Sequence, residues 1–551
     1  MNLFNFLSNN ILGQLGDQIG SIWLGDVFYS KKFYLLNYYS IEYFKVEKSS
    51  ELNNLFSNIY NFIYLSFSYF LGGVLTYNLL TILILIINSA CIYNLFKSLN
   101  IRRIIAILFS FFISFIPFFY MHFEHQTLLI IFPSIIVIKY LINLDLSSLN
   151  TKSIFPISLW TTLQGLFSLY LIYFMLIYIF IYFIYTSILK KNTKVLYNLG
   201  YVTSLVGVMF LVFNFGLVLD YLQPSRTQVN YNFPNKNISQ TVSNFSFDRE
   251  KPLNDFLYFS SRPWYFMFFP STHPLFGNFT KSTINYFSET KNFWIFKNYF
   301  PYEHNASFIG YTILILTIIS QINQKTKSNN TIKSLLFLNF LLFILSMPPY
   351  ITLFGTNIYT PSYLLYLLFP MFRTLARIVI FIQINFFIIS AITLNELTKF
   401  LPIKKFAIIL IFIVCGMSLD YLSSYKFTNI PVFDETNSFL KNVDSENKMI
   451  VVYPNSFRND FLLNMPSFES PFFNPSGLVR GDINFDSGKF TSNLDTCENL
   501  FYFSNFNGKY IAIRDFKNYE FKYIDKFPTV FVSEAENITI KSIEDISKIC
   551  K

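Results

Sequence analysis

Charge is what this chain has least of. Only 13% of its 551 residues are Asp, Glu, Lys or Arg, where soluble domains run near a quarter. A soluble globular enzyme is therefore excluded, and much of the surface must be solvated by lipid. Cysteine is also scarce: the four Cys show no paired spacing of the kind a structural zinc site needs. Cys91 and Cys415 fall inside apolar runs, as packing residues do, while Cys497 and Cys550 fall near the C-terminus, where a disulfide can form in an oxidising compartment. Nowhere is there a glycine-rich phosphate loop, so a nucleotide-binding fold is excluded. The first twelve residues lack the basic segment of a signal peptide and are too short to cross a bilayer.

What the chain does have is apolar length. It is 53% hydrophobic and 20% aromatic. Runs such as Val74–Phe96, Ile104–Tyr120, Leu128–Leu144, Tyr170–Leu189, Leu196–Leu219 and Phe406–Leu419 approach the roughly 20 residues a membrane helix requires. The pattern gives about ten spans, at 74–96, 104–121, 127–144, 154–170, 171–189, 197–219, 308–323, 333–349, 376–396 and 405–420. The net charge of +10 is not a nucleic-acid signature, because the basic residues form short clusters between spans instead of one face. Lys97, Arg102 and Arg103; Lys190, Lys191 and Lys194; Lys325, Lys327 and Lys333; and Lys399, Lys404 and Lys405 all fall on one side when the spans alternate. The positive-inside rule makes that side cytoplasmic.

The fold class that follows is mainly α: a polytopic transmembrane helical bundle over 74–420, with a small extracytoplasmic α/β domain over 421–551. Residues 1–73, 220–307 and 350–375 also lie outside. No span precedes residues 1–73, so a helix ahead of Met1 is expected. Residues 53–72 read as a short helix in the interface plane, and 220–307 as a long external loop with little periodicity. In the C-terminal domain, strands are expected at 448–453, 509–514, 529–532 and 538–543, after a helix at 434–441.

Candidate chemistry gathers on the outer side. Asp17, in Gly16-Asp17-Gln18-Ile19-Gly20, is either a surface turn or a carboxylate at the bundle's outer mouth, where a membrane enzyme needs a base. All four histidines, His122, His125, His273 and His304, fall in external loops or at their edges, with Glu124 and Glu303 adjacent in sequence. Such a set either binds a divalent ion or caps spans where water satisfies it. Arg373 and Arg377, spaced by four, read as one helical face. Their guanidiniums suit either a phosphate or lipid headgroups. Arg262 lies in the long external loop and is able to assist. An external carboxylate and external arginines beside lipid fit transfer from a phosphorylated lipid.

In their order, several segments resemble the multi-pass GT-C membrane glycosyltransferases, especially the mannosyltransferase-like and YfhO-like prokaryotic members. They are Gly16-Asp17; Leu75-Thr76-Tyr77-Asn78-Leu79; the His122/His125 loop; Ser261-Arg262-Pro263-Trp264-Tyr265; Pro270-Ser271-Thr272-His273-Pro274-Leu275-Phe276-Gly277; Glu303 before Phe308-Ile309-Gly310-Tyr311; and Phe372-Arg373-Thr374-Leu375-Ala376-Arg377. The resemblance covers most of 14–395. It implies a GT-C-like bundle, a polyprenyl-phosphate sugar as donor, a glycan or lipid as acceptor, and an acidic residue of the first external segment as base. That role falls on Asp17, with Asp26 as substitute. Arg373, Arg377, Arg262, His273, His125 and Glu303 are the substrate-binding candidates. No metal ligand is assigned, and a divalent ion is compatible but not required. The alternatives are a transporter or flippase for a lipid-linked glycan, and an envelope-assembly scaffold.

Overall fold

The computed structural model describes residues 3–13, 18, 22, 26, 29, 59–143, 151–213, 231–233, 236–238, 253–290, 300–353, 356–399, 401–422, 427–430, 433–442, 449–453, 472–473, 494–497, 500–501, 504, 508–514, 521–543 and 546–550. Each of the ten expected spans has a helix at its position. Six stretches are long and apolar enough to cross a membrane: Gly73–Ser98, Arg103–Met121, Phe123–Asn143, Leu169–Lys190, Lys194–Val212 and Leu375–Thr398. The pair Pro301–Ser307 and Tyr311–Ile322, bent by 49°, makes a seventh if counted as one broken span. Ile154–Phe167 and Asn330–Ser346 are apolar but shorter, and Ile403–Asp420 carries Lys404, Lys405 and Asp420. Ile59–Leu71 is a further short apolar helix, within the expected 53–72.

Local chemistry sets the breaks. The nearly continuous apolar stretch 153–189 divides at Ser168, whose extended backbone lets its hydroxyl accept the Leu171 N–H at 3.4 Å and cap the next helix. That places the division two residues before the expected one. Leu169–Lys190 then ends on Lys191 in the left-handed conformation.

Leu375–Thr398 is the axial helix of the bundle, 89% buried, whereas Lys194–Val212 is peripheral at 28%. Because lipid tails are as apolar as leucine, polar contacts help hold such helices together. Tyr178 donates to Asn385 at 2.9 Å, and Asn385 donates to Asn339 at 2.8 Å, linking three helices. Asn88 donates to the Leu129 carbonyl at 2.7 Å. The basic loops meet at one end. The Arg102 N–H donates to Asn395 at 3.0 Å, its guanidinium donates to the Lys399 carbonyl at 2.5 Å, and Asn143 donates to Ser98 at 2.9 Å.

The C-terminal domain holds a five-stranded mixed sheet in the order Thr529–Ser533, Ile538–Ser542, Gly508–Arg514, Met449–Tyr453, Phe472–Phe473. The first three strands are antiparallel and the last two join in parallel. The four expected strands and the helix, here Asp434–Asn442, are present within a residue of their expected ends. Alternation sorts the faces. Ile511 and Ile513 pack with Leu494, Leu500, Ile524, Phe527, Ile543 and Ile546, while Tyr510, Ala512, Ile538 and Ile540 join the main core. Cys497 and Cys550 are disulfide-bonded across 53 residues. Cys91 is half-buried, but Cys415 is exposed, so the expectation that it packs is corrected.

The described residues of 220–307 carry secondary structure where a structureless loop was expected. It contains the hairpin Tyr231–Phe233/Lys236–Ile238 and the helical segments Leu253–Tyr258, Pro263–Phe266, Gly277–Asn285 and Pro301–Ser307. Its helices lack the long period-3.6 stripe because each is less than three turns long.

Candidate functional site

The N-terminal segment is clamped at the end of the bundle opposite the basic loops. Asn10–Leu12 forms an antiparallel pair with Phe427–Asn429, the strand that leads into the C-terminal domain. Asn78, buried one turn into the first long span, accepts the Leu12 N–H at 2.9 Å and donates to the carbonyls of Leu7 (2.6 Å) and Asn10 (2.7 Å). The Tyr77 hydroxyl lies 3.1 Å from the Leu12 carbonyl and 2.9 Å from the Phe123 carbonyl. Residues 10–13 are thus held against the turn that carries His122 and His125.

Asp17 lies outside the described residues. Asp26, the substitute, is described. One of its oxygens accepts the Gly73 N–H at 2.5 Å, at the start of the first long span. That approach needs glycines. Gly72 has φ of +82°, and a Cβ on Gly73 would run into the Ile22 carbonyl oxygen. Asp26 lines an open cleft of about 360 Å³ with Ser8, Asn9, Tyr29, Leu71, Gly72, Val74, Leu75 and Ile430. Burial raises its pKa to about 6, against the opposing pull of the Gly73 and Val74 N–H groups.

The arginines divide. Arg373 precedes the helical turn Leu375–Ile378 instead of sharing a helical face with Arg377, which corrects that expectation. Arg373 pairs with Asp255 at 2.5 Å and lies over the Phe259 ring at 4.8 Å. Arg262 is buried, donating to the carbonyls of Ser260 and Leu257 at 2.8 Å. Both are occupied with structure. Arg377 is half-buried and packs on the Tyr170 ring at 4.6 Å. Its Nε has no hydrogen-bond partner among the described residues.

The expectation that water caps the histidines at span ends is also corrected: His122, His304 and His273 are buried. His273 is structural. Its Nδ1 accepts the Leu275 and Phe276 N–H groups at 3.2 and 3.1 Å, so Nε2 carries the proton and donates to the Leu419 carbonyl at 2.9 Å. His304 sits among the rings of Trp264 and Tyr265, with centroids 4.9 and 5.0 Å away. His125 is half-buried in the Phe123–His125 turn. No group of three or more His, Cys, Asp or Glu able to hold a metal ion occurs among the described residues.

Glu303, on the Pro301–Ser307 helix, is 1% exposed, and neither of its oxygens has a hydrogen-bond partner among the described residues. Its helix packs on Pro117–Met121 and on the Leu375–Ile378 turn. Arg377 interacts electrostatically with Glu303 and, separately, with His122.

No protein-family model matches the chain, and no curated protein matches it in sequence. Two solved structures resemble it in overall course. One is the archaeal oligosaccharyltransferase AglB from Archaeoglobus fulgidus, in complex with an inhibitory peptide and a dolichol-phosphate: TM-score 0.43, 10% identity, covering 92% of this chain and 66% of that one. The other is ArnT from Cupriavidus metallidurans bound to undecaprenyl phosphate: TM-score 0.43, 9% identity, covering 98% and 96%. This chain spans just under two thirds of AglB's length. At a TM-score below 0.5 the likeness says nothing of this chain's own activity.

Asp26, His122, Glu303 and Arg377 thus lie at the bundle end away from the basic loops. His122 was legible as a histidine at a span edge. Its burial against Phe118 and Tyr302 was not, because that depends on the fold of a region with no sequence periodicity.

Proposed function

We propose that the chain is an integral-membrane glycosyltransferase that moves a sugar from a polyprenyl-phosphate donor to an extracytoplasmic glycan or lipid acceptor. The observation that carries this reading is Asp26, a carboxylate with a pKa of about 6 in an open cleft at the non-basic end of a membrane bundle. A base poised near the working pH is what deprotonating an acceptor hydroxyl needs. Asp26 takes the acceptor proton as the acceptor oxygen bonds to the anomeric carbon. The bond from that carbon to the phosphate oxygen breaks, and the phosphate leaves on the lipid. Arg377, with no carboxylate bonded to it, receives the developing phosphate charge. Arg373, held by Asp255, shapes the site without touching the phosphate. Asp17 is the second carboxylate to test for the base. The disulfide Cys497–Cys550 supports an extracytoplasmic C-terminal domain.

The test is transfer of labelled sugar in membranes holding the full chain, supplied with a panel of polyprenyl-phosphate sugars. Transfer from at least one donor, lost in Asp26→Asn at equal expression, supports the reading. Transfer that survives Asp26→Asn but not Asp17→Asn moves the base. Absence of transfer across the panel favours a transporter or scaffold.

A further inference from the structure

A water-facing helix carries polar residues on its outer side, and a large exposed apolar patch marks an interaction surface. The segment between Asn330–Ser346 and Leu375–Thr398 has such a patch. It forms the hairpin Tyr350–Leu353/Thr356–Tyr359 and the short helix Ser362–Leu368. Leu364, Leu367 and Leu368, at helical spacings of three and four, share one face of that helix, and each is more than half exposed. Ile358 of the hairpin and Phe369 and Met371 beyond the helix are exposed as well. The other face packs inward: Ser362 and Leu365 are buried, and Tyr366 meets Phe256 edge to face with centroids 5.1 Å apart.

Sequence, helix length and depth together say what covers the leucine face. Residues 334–372 contain no Asp, Glu, Lys, Arg or His, so the stretch has none of the charge that keeps an external loop in water. Asn330–Ser346 starts among Lys325, Lys327 and Lys333, at the basic end. Its 17 residues reach about 25 Å at 1.5 Å per residue, short of a hydrocarbon layer of about 30 Å. The hairpin that follows therefore begins before the chain has left the bilayer. Phe369 and Phe372 pack on Tyr173, with centroids 5.2 and 4.3 Å apart. Tyr173 lies inside the Leu169–Lys190 span, about 6 Å from its non-basic end. Charge returns only at Arg373, paired with Asp255, as suits the headgroup level.

We infer that Tyr350–Met371 is an interfacial shelf, its Leu364/Leu367/Leu368 face seated in the acyl chains of the leaflet at the non-basic end. The partner of this surface is a lipid bilayer, held by buried apolar area. Pairing of the two strands satisfies backbone groups where water is scarce. The shelf adds no crossing, so the alternation of the spans is unchanged, and it depends on no catalytic residue.

The test places an NBD fluorophore on single cysteines of the full chain in proteoliposomes, with Cys91 and Cys415 replaced by Ser. The sites are Leu367→Cys on the shelf, Phe180→Cys on the exposed side of a span, and Glu534→Cys at an exposed position of the C-terminal domain. Brominated phosphatidylcholine quenches from the acyl region, and iodide on both sides of the membrane quenches from water. The Leu367 label should lose emission to brominated lipid as the Phe180 label does, and more to bromines near the headgroup end of the chain than near its tip. Iodide should quench the Glu534 label and spare the Leu367 label. Each site is an exposed side chain, so each variant should keep the native melting temperature. Quenching of the Leu367 label by iodide but not by brominated lipid puts the face in water and overturns the shelf. Protection from both quenchers shows the face covered by protein, a second copy or another chain, and overturns it too.

Discussion

In the proposed transfer, Asp26 and Arg377 are assigned most of the chemistry. Asp26 is held where ionisation costs free energy, and this has two consequences of opposite sign. As a base it works ionised, so transfer should fall as pH drops through about 6. For stability the folded-state pKa is raised, so Asp26 favours the fold at low pH and loses that contribution as pH rises through about 6. Asp26→Asn should therefore cost roughly 10² to 10⁴-fold in transfer, while its melting temperature at pH 7.5 equals or exceeds that of the native chain. An amide oxygen still accepts from Gly73. The arginines should separate just as clearly. Arg377→Gln should raise the KM for the lipid-phosphate donor, and Arg373→Gln should instead lower thermal stability by releasing Asp255. Steady-state kinetics and a melt of each variant distinguish the two. Residue identity was legible in the sequence for both arginines, but their division of labour was not. Which guanidinium is already paired depends on Asp255, more than a hundred positions away.

The element that matters most is the join between the N-terminal segment and the first long span. Asn78 makes three buried hydrogen bonds to residues 7–12, and Gly73 lets the backbone at Ile22 and Asp26 come into contact with the span. Gly73→Ala should push Ile22 and Asp26 away from the span at a cost of about 1–3 kcal/mol, and transfer should drop although no substrate contact is touched. A control, Gly200→Ala, lies inside the Lys194–Phe213 helix with nothing near its added methyl; it should leave the assay unchanged and melt no lower than the native chain. Long apolar runs and period-two strands were readable because hydrophobic length and alternation are local properties. The pairing of Asn10–Leu12 with Phe427–Asn429 was not, since neither three-residue strand has a pattern and the partners stand over four hundred positions apart. The short helices of 253–307 escaped for the same reason.

At the scale of the whole molecule, the charge asymmetry between the two ends makes the proposed orientation testable. The basic loops gather at one end and Asp26, Glu303 and Arg377 lie at the other. With Cys91 and Cys415 replaced by Ser, a membrane-impermeant thiol reagent applied to intact cells should label Glu534→Cys in the C-terminal domain and spare Lys191→Cys. The reverse pattern would invert the topology and place the cleft in the cytoplasm. The disulfide closes 53 residues of that domain, so Cys497→Ser should destabilise it by about 2–4 kcal/mol, read as increased proteolysis of the domain.

The central claim is tested most directly by the pH–rate profile of sugar transfer in proteoliposomes holding the full chain and a labelled polyprenyl-phosphate sugar. Transfer that declines below about pH 6, with the decline and the activity both gone in Asp26→Asn, is the result expected. A profile flat from pH 5 to 8, or one unchanged by Asp26→Asn, would contradict it.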